Sequence, residues 1–201
     1  PNDVVTALRA EYQDISLPLP PMIVVMPDGD NSFYMNRKDG KKLYPPEDGP
    51  DYVDGLYKGA TGQHETYIAG DLVAHIDANY RTLADRDHRG IGGFSMGGIG
   101  SMFLLLRHPD VYSSVTSHSA IYTLADWTGD PLFISYAKQT TPEAVNLFTG
   151  GTGKMSDMDK DYLKTYDPYT LLRDFERKDV HIYFDTGEKD AFAGMKDFKT
   201  I

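Results

Sequence analysis

The stretch that most constrains this chain is residues 90–107, G-I-G-G-F-S-M-G-G-I-G-S-M-F-L-L-L-R. A short apolar run, dense in glycine, passes through one serine into a segment that is apolar nearly all round. Within it, Gly93-Phe94-Ser95-Met96-Gly97 matches G-x-S-x-G, a pattern with chemical meaning only where a strand precedes the serine and a helix follows it. The serine then sits on a sharp turn that exposes its hydroxyl and leaves no room for side chains two residues to either side. Both flanks meet that requirement here, so Ser95 is read as a nucleophile. On such a turn the backbone N–H of Met96 points to where an oxyanion forms, and the helix N-terminus adds partial positive charge.

The remaining apolar pattern places this turn in an α/β domain. Met22–Met26, Gly90–Phe94, Tyr112–Ser117 and Val180–Asp185 read as short strands buried on both faces, separated by segments of helical period. That alternation predicts a mostly parallel sheet with helices on both faces. In residues 65–80, Ile68, Leu72, Val73, Ile76 and Tyr80 recur at three and four residues and predict one buried stripe. Residues 97–107 predict a helix packed against the sheet, ended by His108-Pro109. A further helix is expected from Pro168 to Arg177, with Asp167 as its cap. The 201 residues fit a single domain, with long loop insertions at about 28–62 and 124–166. Both insertions follow a strand, on the edge where α/β sheets bind ligands.

Charge and composition remove several function classes. Thirty acidic residues against 20 basic ones give a formal charge of −10, and no cluster of Lys and Arg is long enough to track phosphates. Nucleic acid and membrane surfaces are therefore not expected as partners. The absence of cysteine rules out thiolate nucleophiles, disulfides and zinc–thiolate sites. No apolar run approaches the roughly 20 residues that span a bilayer. The opening P-N-D-V-V-T-A-L-R-A lacks a signal-peptide layout, which leaves secreted and cytoplasmic locations both open. Asp157, Asp159 and Asp161 alternate like the start of a calcium loop. Tyr162 and Pro168 stand where that loop needs glycine and glutamate, so a solvated acidic loop is expected instead. His64, Asp71 and His75 are spaced to share a helix face and are read as surface residues. No metal and no cofactor are expected.

A serine hydroxyl needs a general base, and the base needs an orienting carboxylate. In α/β-hydrolases the acid follows the nucleophile along the chain, after a later strand. The V-H-I-Y-F-D strand and the T-G-E-K-D after it offer Asp185, Glu188 and Asp190, of which Asp185 lies on the strand itself. For the base, His118 ends the strand after the nucleophile helix. A residue there more often lines a substrate or fills a core, and no histidine is assigned.

Five blocks taken in order carry a family resemblance: M-I-V-V-M-P-D-G at 22–29, E-T-Y-I-A-G-D-L-V-A-H-I-D at 65–77, G-G-F-S-M-G-G at 92–98, H-P-D-V-Y-S-S-V at 108–115 and Y-F-D-T-G-E-K-D at 183–190. Together they resemble the esterase D-like family, similar to feruloyl, acetyl xylan and tributyrin esterases. The resemblance implies the α/β-hydrolase fold and a serine carboxylesterase acting on a small or carbohydrate-linked acyl or feruloyl ester. It makes Ser95 the nucleophile, Met96 an oxyanion donor and Asp190, which closes the G-x-x-D block, the acid. It also implies two features not found here, an earlier strand ending in His-Gly and a catalytic-histidine segment after the acid, so incompleteness at both termini is expected. A complementary fragment or a homo-oligomer covering exposed sheet is the corresponding partner expectation. Acyl transfer by the same fold, or a catalytically silent binding module, are the alternatives. Tyr34, Tyr44, Tyr52, Tyr57, Tyr122 and Tyr136 are candidates for an aromatic substrate pocket, with packing beneath the loops as the competing reading.

Overall fold

The computed structural model describes residues 21–29, 32–38, 62–127, 149, 154–187 and 190. Three strands, β1 (Gly90–Phe94), β2 (Ser114–His118) and β3 (His181–Asp185), form a parallel sheet in the order β1-β2-β3. The register pairs Phe94 with His118 and His118 with Asp185, so the carboxyl ends of all three strands finish level. Strands this short can be parallel only if each crossover packs back on the sheet, and the first crossover is the elbow helix α2 (Met96–Arg107).

Helix α2 is buried from Gly98 to Leu106, and Met102, Phe103 and Leu105 have no exposed surface. It lies on the face of the sheet that carries Val115 and Ser117, both buried. Around it pack helix α1 (residues 64–79), α3 (Leu124–Trp127), α4 (Lys160–Lys164) and α5 (Pro168–Arg173). Within α1 the backbone widens from α-helix at His64–Thr66 to π-helix over Tyr67–Leu72 and returns to α-helix at Val73–Asn79. Asp167 caps α5 as expected, accepting the Thr170 N–H at 2.9 Å, and its second carboxylate oxygen takes the Ala125 N–H at 3.0 Å. One buried side chain thus satisfies two helix termini.

The far end of α2 is anchored by a buried carboxylate. Glu65 receives Arg107 Nε at 2.7 Å, Arg107 Nη2 at 3.3 Å, His108 Nε2 at 2.8 Å and the Tyr166 hydroxyl at 2.7 Å. The guanidinium of Arg107 also stacks over the Tyr166 ring, 4.4 Å from its centroid. Burial alone raises the Glu65 pKa, but the hydrogen bonds from His108, Arg107 and Tyr166 outweigh it and hold the carboxyl down at about 2.

Several expectations are corrected. Residues 22–26 are not a strand: they are exposed, from 40% at Val25 to 73% at Met26, and have no ladder partner among the described residues. β-branched residues favour a strand only where a neighbouring edge accepts their backbone bonds. Nor are the outer strands buried on both faces, since Phe94 is 69% and Tyr183 56% exposed on the side away from α2. The α1 stripe is buried at Ile68 but ends before Tyr80, whose extended backbone at the helix C-cap takes it off the helical face. His64, expected at the surface, is fully buried. Helix α5 stops at Arg173, four residues early, where Asp174 leaves helical geometry. Of the two insertions, 30–31 and 39–61, and likewise 128–148, 150–153 and Glu188, lie outside the described residues.

Candidate active site

Ser95 stands where β1 turns into α2, with φ 56° and ψ −116°. A positive φ on a non-glycine residue costs on the order of 1–3 kcal/mol and persists only where the surroundings dictate it. They do so here through glycine. A Cβ on Gly93 would stand 2.3 Å from both the carbonyl carbon and oxygen of Gly97, so the chain can fold back this tightly only without one. The turn is also tied to the next strand, because the Ser95 N–H donates to the His118 carbonyl at 2.9 Å. The first intrahelical bond runs from Ile99 N–H to the Ser95 carbonyl at 3.1 Å. This leaves the N–H groups of Met96, Gly97 and Gly98 ahead of it without intrahelical acceptors. Serine hydroxyl and helix N-terminus therefore share one turn, the juxtaposition the sequence predicts.

Asp190 lies beyond the carboxyl end of β3, on the same edge of the sheet. Its N–H donates to the Gly187 carbonyl at 3.0 Å, and Thr186 Oγ1 donates to its Oδ2 at 3.3 Å. One strand, β2, lies between it and the elbow, and among the described residues the Ser95 hydroxyl makes no hydrogen bond to it or to any other group.

Two further side chains stand on this edge. His118 Nδ1 lies 2.9 Å from Asp185 Oδ2, with both side chains less than half exposed. A carboxylate only accepts, so Nδ1 carries the proton. Each residue is legible as a candidate in the sequence, but their pairing is not, because it depends on the β2–β3 register across 67 residues. Tyr34, one of the pocket tyrosines, packs on the first turns of α2. Its ring occupies the space where a Cβ on Gly100 would stand, 2.4 Å from Cδ2, and its hydroxyl reaches toward Gly97. Burial raises the Tyr34 pKa, and the nearby Asp28 raises it further. Tyr122 is a core residue instead: it is fully buried, edge-on to Phe184, with its hydroxyl 3.0 Å from Ser117 Oγ. Tyr44, Tyr52, Tyr57 and Tyr136 lie outside the described residues.

No group of three or more metal-ligating side chains is found among the described residues. Asp159, from the acidic 156–162 stretch, accepts the Tyr162 N–H at 3.0 Å as the cap of α4 and pairs with Lys38. No helix among the described residues is long and apolar enough to cross a membrane.

The Putative esterase family model matches residues 8–200. An esterase of Mycobacterium tuberculosis is 25% identical over 191 residues, covering 89% of this chain and 38% of its own. An endo-1,4-beta-xylanase/feruloyl esterase of Xylanibacter ruminicola is 27% identical over 89 residues, 42% of this chain and 12% of its own. Among solved structures, an S-formylglutathione hydrolase from Agrobacterium tumefaciens superposes with a TM-score of 0.50 at 20% identity, over 81% of this chain and 46% of that one. The chain thus spans less than half the length of these relatives. The fold is that of the α/β-hydrolases, and the chain belongs to the Putative esterase family.

Proposed function

We propose that Ser95 is the nucleophile of a serine carboxylesterase. The observation that carries this reading is the elbow: a serine at φ 56° between a glycine-lined strand end and the first-turn N–H groups of a buried helix, which have no intrahelical acceptor. The Ser95 oxygen adds to an ester carbonyl as its proton passes to a general base. The carbonyl oxygen becomes an oxyanion held by the Met96 N–H, within the positive end of α2. Collapse of the tetrahedral adduct breaks the ester C–O bond, and the alcohol leaves with the proton returned by the base. Water then repeats the sequence on the acyl-serine, releasing the carboxylic acid and restoring the hydroxyl. Asp190 is the acid that orients the base, in keeping with its place after β3.

The substrate class proposed is a small or carbohydrate-linked acyl or feruloyl ester. The named activities of the relatives support it, and Tyr34 offers an aromatic surface beside the first turn of α2. A fluorophosphonate probe tests the nucleophile directly. The protein should be labelled at one serine, mapped by peptide mass to Ser95, and Ser95→Ala should remove both the label and p-nitrophenyl acetate hydrolysis. Labelling at another residue, or hydrolysis that survives Ser95→Ala, refutes the reading.

A further inference from the structure

Ser95 does not hold its own geometry. Its N–H hangs on the carbonyl of His118, the last residue of β2. The same carbonyl sits 3.0 Å from where a Cβ on Gly98 would stand, so the first turn of α2 is pressed against it as well. Any movement of the end of β2 is therefore passed to the elbow.

The end of β2 is held in turn from β3. His118 Nδ1 donates to Asp185 Oδ2 at 2.9 Å, and the next residue, Ser119, donates its N–H to the Asp185 carbonyl at 2.8 Å. The Tyr183 ring packs against the imidazole, 5.8 Å between centroids. Ser119 takes φ 46°, a strained conformation for a residue with a side chain, directly after the paired histidine. With side chains 42% and 44% exposed, a histidine–carboxylate pair adds little to global stability. Its geometric effect is local and falls on the carbonyl that carries Ser95.

We propose that His118 and Asp185 are positioning residues for Ser95: their side-chain bond fixes the end of β2 against β3 and so fixes the carbonyl from which the elbow hangs. This rests on the reading of Ser95 as nucleophile, and the two can fail separately. The bond involves neither the serine hydroxyl nor the substrate, so its loss misplaces the nucleophile without removing a reacting group.

The test uses the whole protein and the variants His118→Ala, His118→Gln, Asp185→Asn and the His118→Ala/Asp185→Asn double, with Ser95→Ala as the chemical blank. The readouts are the second-order rate of fluorophosphonate labelling, kcat and KM on p-nitrophenyl acetate, and hydrogen exchange of the Ser95 amide. A small displacement of a nucleophile slows reaction by up to on the order of 10²-fold. His118→Ala should thus slow labelling by about 10- to 100-fold, through kcat with KM little changed, and speed exchange of the Ser95 amide. Glutamine keeps an N–H donor for Asp185, so His118→Gln should recover most of the rate. The double variant should be no slower than the slower single, since both remove the same bond. The proposal is overturned if His118→Ala labels at the wild-type rate, if His118→Gln is as slow as His118→Ala, or if the single losses multiply in the double variant. It is equally overturned if His118→Ala is as inert as Ser95→Ala, which would make the imidazole a reacting group. If the wild type fails to label while His118→Ala still frees the Ser95 amide, the nucleophile reading fails and the clamp stands.

Discussion

Glu65 provides a quantitative test of what holds the elbow helix. Its side chain is only 4% exposed, and its two oxygens take hydrogen bonds from Arg107, His108 and Tyr166. Those bonds hold its pKa at about 2 against an ordinary value of 4.5. At 1.36 kcal/mol per unit, the ionised form contributes about 3 kcal/mol to folding. Because the folded-state pKa is the lower one, that contribution is complete above the unfolded-state value and is lost as pH falls from about 4.5 toward 2. Glu65→Gln keeps the side-chain shape but presents an amide N–H₂ to donors that a carboxylate accepts, leaving at least one unpaired. In urea unfolding followed by far-UV circular dichroism, the variant should be about 3 kcal/mol less stable at pH 7, with the gap narrowing steadily below pH 4.5. A deficit that stays constant from pH 7 to pH 2.5 would show that shape, and not charge, is what Glu65 provides, and would refute the linkage.

Three other substitutions probe separate parts of the argument. Gly93→Ala places a methyl group 2.3 Å from the Gly97 backbone; it should destabilise the protein by about 1–3 kcal/mol in urea unfolding and slow fluorophosphonate labelling on the order of 10²-fold. Asp190→Asn should lower kcat for ester hydrolysis by about 10³- to 10⁴-fold with KM little changed, measured on p-nitrophenyl acetate; a loss under tenfold would exclude Asp190 as the acid. Asp167→Ala removes acceptors at 2.9 and 3.0 Å from the termini of α5 and α3; the unfolding midpoint should fall by the equivalent of about 2–4 kcal/mol.

What the sequence made legible was local. β1 is found at its expected residues, and α2 starts one residue before the predicted bound, because a glycine-flanked serine between a strand and an apolar helix admits one turn geometry. The Asp167-Pro168 start of α5 is equally local, as capping needs only neighbours three residues away. Residues 22–26 have the composition of a strand without being one, because strand formation depends on a partner edge that no local pattern specifies. Tyr122 looked like its loop neighbours but is core, since only the fold brings Phe184 and Ser117 to it. The Glu65 cluster draws on residues up to 101 positions away, and a lone glutamate in a helical stripe gives no sign of it. The His118–Asp185 pair is intermediate: parallel strands ending level predict the neighbours, but register alone decides which residues they are.

Strain and support are separated along α2 in a way that explains both ends. Among the described residues, Phe33, Tyr34, Ser95 and Ser119 are the non-glycines with positive φ; Tyr34 and Ser95 border the first turns of α2, and Ser119 lies between His118 and Ala120, which flank Gly98. Each costs on the order of 1–3 kcal/mol and must be offset elsewhere. The offset lies along the helix: its middle is fully buried, and its far end, about 18 Å away at 1.5 Å per residue, is locked by Arg107 and His108 onto Glu65. Weakening that lock lowers global stability but leaves the strained turn intact in every molecule that stays folded. Glu65→Gln at pH 7 should therefore lose stability yet label Ser95 at a near wild-type rate per folded molecule, whereas His118→Ala should do the reverse. Labelling losses in both that merely track their stabilities would mean that the elbow has no local support of its own and is only as well placed as the whole fold is stable.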